Sequence, residues 1–300
     1  MPAPTDESAR AGAELLAASR QLVADQVRLI RDGDDWAQFL MFQAALHDLT
    51  AENVLLVVAQ HQGMYEAGTV NEATPRFVAT RAEWRSAGYD IRPGQRGIAV
   101  IGPDVLLARR VTEPSGTTWQ LSGDDAAAAA VGHLSSGLPQ IADAARVWSD
   151  AQVTGPPIPP ARAPRLLSNE APAGLATGAA ELIASRRFRL VLPAGDPGAA
   201  MVDFDSRIVT VPIDGSAAAV TCALVRQAAH TLLHDPEATS AATIHGRTPS
   251  AIADQLLEAE SVAAVVTTAH GMVPAAPARF SRVADWPPSL RAEMVANTAG

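Results

Sequence analysis

Leu224-Val225-Arg226-Gln227-Ala228-Ala229-His230-Thr231-Leu232-Leu233-His234 is the stretch on which the fold turns. Its leucines, alanines and glutamine favour a helix, and at 3.6 residues per turn positions 226, 230 and 234 advance only about 40° per step. They form one stripe. Further along, Glu258-Ala259-Glu260-Ser261-Val262-Ala263 marks a second helix. In such a layout two side chains four residues apart converge on one cation, a carboxylate from the next helix adds a third ligand, and the fourth position holds water.

The layout resembles that of a zinc metallopeptidase, whose first helix carries H-E-x-x-H. Two positions depart from it. Arg226 stands where the first histidine belongs, and Gln227 stands where the glutamate belongs. Arginine has no lone pair to offer and would set a cation against a cation. A neutral amide cannot take a proton from a metal-bound water. No catalytic residue is therefore expected, Gln227 being the degraded position, and no cofactor. The alternative is Zn²⁺ on a residual set of His230, His234 and Glu258. The guanidinium of Arg226 is expected to take the place of the metal and to pair with Glu258 or Glu260. Taken alone, the histidine pair also reads as two satisfied core or surface side chains.

The 300 residues suggest two domains, and 48% hydrophobic residues provide for two modest cores, although much of that material is alanine, which buries little area. All positive charge is arginine. The single cysteine, Cys222, excludes an intramolecular disulfide and fits a reducing cytosol. It lies roughly 12 Å along the helix from His230 at 1.5 Å per residue, so it reads as a small buried hydrophobe rather than a substitute ligand. Residues 1–14 are polar and lack a signal-length apolar run, and no run approaches membrane-spanning length. A cytoplasmic protein without membrane contact is expected.

The net charge of −9 argues against a generally basic nucleic-acid binder, but the charge is unevenly placed. Residues 1–74 hold four arginines against eleven acids, a net of −7. Residues 75–110 hold seven arginines against Glu83, Asp90 and Asp104, a net of +4.

In the first hundred residues, Leu15, Leu16, Leu22, Val23, Val27 and Ile30 recur at helical spacing. Asp34-Asp35 suit the start of a helix with Trp36, Phe39, Leu40 and Gln43 on one face. Thr50 caps a nearly all-apolar, hence buried, helix from Ala51 to Gln60. Thr80-Arg81-Ala82-Glu83 is a capping box, and Gly88 is placed to end the short helix it opens. Residues 92–97 read as a turn and 98–101 as a strand. Residues 105–111 and 117–121 read as a hairpin.

Leu49-Thr50-Ala51-Glu52-Asn53-Val54-Leu55-Leu56-Val57-Val58-Ala59-Gln60 resembles the S-x-x-N-x-L-L-I-x-x-Q segment of ArdC-like antirestriction proteins. Residues 77–98, from Phe77 through Thr80, Trp84, Gly88, Arg92 and Gly97 to Ile98, are similar to the next segment of that family, which ends in V-x-K-G-E-K-G-I. The C-terminal half of the family is zincin-like. Its T-L-x-H-E-x-x-H-x-L-L-H is the altered helix above, and its E-A-E-S-V-A is intact at 258–263. Gly271, Phe280-Ser281 and Trp286 follow in family order.

The resemblance implies that the N-terminal domain binds single-stranded DNA, and that the chain belongs to a mobile genetic element and protects incoming DNA. Arginines along phosphates and aromatic faces under bases hold single strands. The candidates are Arg76, Arg81, Trp84, Arg85, Tyr89, Arg92 and Arg96. A second reading makes Trp84 a core anchor and the arginines a solvated face. Where the family carries lysines this chain has Pro93 and Gln95.

The expected fold class is α+β in two domains. Residues 1–122 form a helical/β domain of the single-strand-binding type, 123–164 an alanine- and proline-rich linker with one or two helices over 124–150, and 165–300 a zincin-like domain without peptidase activity. Within the last, a helix over 175–186 and strands at 188–192, 201–204 and 207–211 precede the 224–234 helix. The rival functions are a zinc metallopeptidase with a rearranged site that cleaves a regulatory protein, and a scaffold for an unknown protein partner.

Overall fold

The computed structural model describes residues 6–102, 110–112, 118–120, 144–158, 170–237, 249–272 and 278–298. Among these the helices are α1 (Asp6–Leu29), α2 (Gly33–Ala45), α3 (Ala51–Glu66), α4 (Arg81–Ser86), α5 (Leu175–Ser185), α6 (Ala217–Leu233), α7 (Pro249–Ala269) and α8 (Pro288–Asn297). The strands are short: β1 (Val78–Ala79), β2 (Asp90–Ile91), β3 (Ile98–Ile101), β4 (Arg110–Thr112), β5 (Thr118–Gln120), β6 (Ala144–Ser149), β7 (Val153–Thr154), β8 (Arg189–Val191), β9 (Met201–Asp203) and β10 (Ile208–Thr210). The class is α+β, as expected.

The chain divides into two compact units that interleave along the sequence. One comprises residues 1–30, 46–161 and 287–300, the other 31–45 and 162–286.

In the first unit α3 is the organising helix. Thr50 caps it by accepting a hydrogen bond from the Asn53 N–H. Val54, Leu56 and Val57 are fully buried, and α1, α8 and β3 lie against the helix. β6 is the central strand of an antiparallel sheet, with β1 on one side and β3 on the other, Val147 opposite Ile98 and Trp148 opposite Ala79. β2 pairs with β7 just beyond, and β4 pairs with β5 as the hairpin reading requires. Residues 144–149 fall within the segment read as a linker with helices, yet they form the central strand β6, and 153–154 form β7. Pairing on both edges outweighs the weak helix preference of Ala144 and Ala145. The remainder of that reading, residues 123–143 and 159–164, lies outside the described residues.

Among the described residues β3 has a strand on only one side. Its other edge is satisfied by side chains from α3. Asn53 donates from Nδ2 to the Ile101 carbonyl at 2.9 Å and accepts the Ile101 N–H on Oδ1 at 2.8 Å. Gln60 does the same for Ala99, at 2.8 and 2.9 Å. Two amides thus stand in for a missing strand, and buried backbone groups keep their partners.

In the second unit, β10 runs between β8, which it parallels, and β9, which is antiparallel to it. Phe188, Val209 and Val211 from this sheet region meet Ile183 of α5, Leu224, Val225 and Ala228 of α6, and Ala263 of α7 in one apolar core. α2 belongs here, although it lies within the segment read as the N-terminal domain. Its Trp36 is fully buried, donates from Nε1 to Ser261 Oγ of α7 at 2.9 Å, and meets Trp286 edge-on at 5.5 Å. Gly33 approaches so closely that a Cβ would lie 2.8 Å from the Phe280 carbonyl carbon. Periodicity shows which face of α2 is apolar; it does not show what that face packs on. Conversely α8, within the segment read as C-terminal domain, packs with α1 and α3.

Among the described residues no helix is long and apolar enough to cross a membrane.

Asn53→Leu removes both partners of Ile101 while leaving an apolar side chain of similar size. It should lower unfolding stability by about 1–3 kcal/mol, because two backbone groups lose their hydrogen bonds. Urea denaturation reads this as a lower midpoint at unchanged slope.

Candidate functional site

α6 is capped by Ser216, whose Oγ accepts from the Ala219 N–H at 3.1 Å. It presents Arg226, His230 and the terminal His234 as one stripe toward α7, the helix it packs against most extensively in this unit. α7 places Glu258 and Glu260 opposite. Glu258 is fully buried and Glu260 nearly so. The sequence therefore identified the right residues as neighbours.

The pairing is more specific than the sequence suggests. Glu258 faces His234, with Oε2 3.5 Å from Nε2, and the same His234 nitrogen lies 3.1 Å from the Gln255 carbonyl. Arg226 pairs with Glu260 at 3.7 Å, not with Glu258. Glu260 has a second and closer cation, Arg279, which donates to the same Oε1. Arg279 lies far enough along the chain that no motif links it to the site.

His230 lies between these two pairs. Its ring is 5.3 Å from that of His234, and among the described residues its buried Nε2 has no hydrogen-bond partner. Burial pushes its pKa down to about 3, and the neighbouring His234, Arg226 and Arg279 add to the effect. It is neutral at pH 7. Arg226 is also pushed below its usual range by burial, with Glu260 opposing and Arg279 reinforcing the shift. Burial raises the Cys222 thiol despite the nearby Arg226.

This arrangement does not fit a metal. Arg226 brings a guanidinium, which has no lone pair to donate, into the stripe beside His230, and His234 is directed at Glu258 and the Gln255 carbonyl. Among the described residues no three His, Cys, Asp or Glu side chains stand close enough to share an ion. Gln227 is tied into the fold: it is buried, and its Nε2 donates to the Ala200 carbonyl at 3.1 Å. A glutamate here would bury a carboxylate against a carbonyl oxygen.

The C-terminal end of α6 is fixed by Arg207, a non-glycine residue at φ 54°. Its guanidinium holds Asp235 at 3.0–3.1 Å, reaches the Arg186 carbonyl, and covers the Phe188 ring at 4.0 Å. Burial alone would raise the Asp235 carboxyl, but Arg207 holds it below its ordinary value.

The basic segment of the first unit is built over a small aromatic cluster of Trp84, Trp148, Ala79 and Val153, with Phe77, Tyr89 and Ile91 around it. Thr80 and Glu83 form the full capping box of α4, and Gly88 leaves the helix at φ +84°. Trp84 is buried and donates from Nε1 to the Trp148 carbonyl at 2.8 Å, so its faces belong to the core and are not open to a base. Arg76 is committed to buried Asp150 at 2.8 Å. Tyr89 is half-buried, edge-on to Trp84 at 5.3 Å.

Arg81, Arg85, Arg92 and Arg96 are exposed. Gln152 organises the turn that carries the last two: its Nε2 donates to the Arg96 carbonyl at 2.7 Å and to Gln95 Oε1 at 3.1 Å. Arg92 Nε donates to the Val153 carbonyl, leaving its other guanidinium nitrogens outward. Arg81 lies 5.0 Å over the Trp148 ring. Exposed Arg146, on β6 opposite Ala99, adds a fifth arginine that the sequence reading missed. The alternation in Arg146-Val147-Trp148 was the available signal, since Val147 is fully buried and its neighbours point to the other face.

No protein-family model and no curated protein matches the chain. Among solved structures it is similar to the metal-free antirestriction protein ArdC of plasmid R388, with 16% identity over 83% of this chain and 80% of that one, at a TM-score of 0.44. It is also similar to the Mn(II)-bound form of ArdC, with 15% identity over 88% and 94% of the respective chains, at a TM-score of 0.41.

Two outcomes follow from the charges on α6 and α7. Glu260→Gln leaves Arg226 and Arg279 facing each other without an anion and should cost about 1–3 kcal/mol; Arg226→Gln, which leaves Glu260 with Arg279, should cost less than about 1 kcal/mol. Chemical denaturation of both variants checks the order. His230 has a folded pKa near 3, below its unfolded value near 6.5, so below pH 6.5 the unfolded chain binds a proton that the folded chain does not. Stability should fall with acidification between those values by up to about 1.4 kcal/mol per pH unit. Melts from pH 7 to pH 4.5 should show a shallower slope in His230→Leu.

Proposed function

We propose that this chain is an ArdC-like, single-stranded-DNA-binding protein of the antirestriction type, whose zincin-like unit has no peptidase activity. The observation that carries the reading is the group of exposed arginines at 81, 85, 92 and 96, displayed by the same segment that resembles the family's DNA-binding block. A guanidinium binds a phosphate oxygen pair bidentately, and arginines along a strand hold its backbone whatever the bases are. With Trp84 and Trp148 buried, stacking is left to Tyr89 and the arginine faces, so phosphate contacts dominate. Loss of hydrolysis rests on chemistry: Gln227 is no base, and Arg226 blocks the first ligand position.

In this reading the protein acts in the cytoplasm on transferred or displaced single strands, and the acidic remainder of the chain limits non-specific adhesion to duplex. The α6–α7 site then serves stability or ligand binding, not proteolysis.

Fluorescence anisotropy of a labelled oligonucleotide, at several salt concentrations and with duplex as competitor, tests the reading. Four phosphate contacts predict a log–log salt slope of roughly −3 for a single strand, and Arg81→Ser with Arg85→Ser should flatten it by about 1.4. Absence of binding at low salt, or equal affinity for duplex, removes the reading. Elemental analysis of the same preparation is expected to find zinc well below one ion per chain.

A further inference from the structure

The α6–α7 stripe opens on one side into a cleft of about 340 Å³. Arg226 lies in its wall together with Cys222, Glu260, Thr267 and Asp196, and the rest of the lining is small and apolar. The volume is at the lower end for small-molecule sites, which combine apolar walls with a few placed polar groups. We propose that this cleft binds a small organic carboxylate with a short apolar body, its carboxylate held by the guanidinium of Arg226.

The charges favour an anion at this point. Among the described residues Arg226 has one ion-pair contact, with Glu260 at 3.7 Å, which is beyond hydrogen-bond distance. The oxygen it faces is already taken by Arg279. Two guanidiniums thus share one carboxylate, and Arg226 keeps its planar fork of donors for a ligand. Its side chain retains 19% of its exposure, so it is reachable from the cleft. Asp196, the other acid of the lining, is exposed at the rim and already accepts the Gly198 N–H at 2.8 Å, so it does not occupy the interior beside Arg226. A carboxylate matches the fork bidentately and adds a second anion where two guanidiniums share Glu260. The alanines of α6 and α7, Ala219, Ala223, Ala263 and Ala264, leave room for a methylene chain.

The inference stands on the second unit alone and holds whether or not the chain binds DNA.

The test is a ligand-observed NMR titration of the full chain with hexanoate, hexan-1-ol and inorganic phosphate. Hexanoate should bind, and each of the other two, lacking the charge or the tail, should bind more weakly. Arg226→Gln should weaken hexanoate roughly tenfold or more, as for loss of a charge-assisted hydrogen bond. Ala219→Phe, a change at an exposed rim position, should block the cleft without touching the core. Circular dichroism verifies folding; should Arg226→Gln unfold, Ala219→Phe decides. Equal binding of hexan-1-ol, equal binding of phosphate, or hexanoate affinity unchanged in either folded variant overturns the proposal.

Discussion

Two carboxylates buried on one helix set the constraint that the second unit is arranged to meet. Glu258 and Glu260 lie on α7 with little or no exposure, and an isolated buried carboxylate would cost many kcal/mol. In a metal-bearing site of this layout an ion would supply the opposing charge. Here His234 lies against Glu258, and the guanidiniums of Arg279 and Arg226 face Glu260. The packing of α6 on α7, the fixed end of α6 at the Arg207–Asp235 pair, and the seat of Trp36 on Ser261 all keep these charges in register. The run Glu258–Ala263 thus has a structural use for both of its acids and for its serine.

The first unit solves a different problem. Its sheet is small, and among the described residues β3 has a strand along one edge and none along the other. Asn53 and Gln60 complete that edge with side-chain amides, so these two polar residues in a largely apolar helix are explained by the backbone of β3. Below the arginines, Trp84 and Trp148 form the floor of a compact cluster, and Gln152 ties down the turn that follows. The result is a well-packed base with exposed, charged side chains on top. That suits recognition of a phosphate backbone, where the charge must be present but the spacing need only be approximate.

Much of the local structure was legible because it depends on near neighbours. The Thr50 and Thr80 caps, the end of α4 at Gly88 and the buried face of Trp36, Phe39, Leu40 and Gln43 rest on interactions within a few residues. So does the stripe of Arg226, His230 and His234, because i,i+4 geometry is intrinsic to a helix. What misled was carrying the helix reading through to residue 150, since Ala144–Ser149 is the strand paired on both sides. Trp84 among arginines suggested a stacking face, whereas its indole N–H is spent inside the core.

The sequence by itself determined the class, the caps, the neighbours along the α6 stripe and the residues that cannot act as ligand or base, since these follow from side-chain chemistry and helical spacing. Only the tertiary structure decided which partner each charge takes. Arg226 meets Glu260 because Glu258 is turned to His234, and Arg279 enters from a segment with no sequence link to either. It also decided that α2 packs on α7 and that Arg146 joins the exposed arginines. These outcomes depend on contacts between residues far apart in the chain, where burial and charge are settled by what else fills the same space.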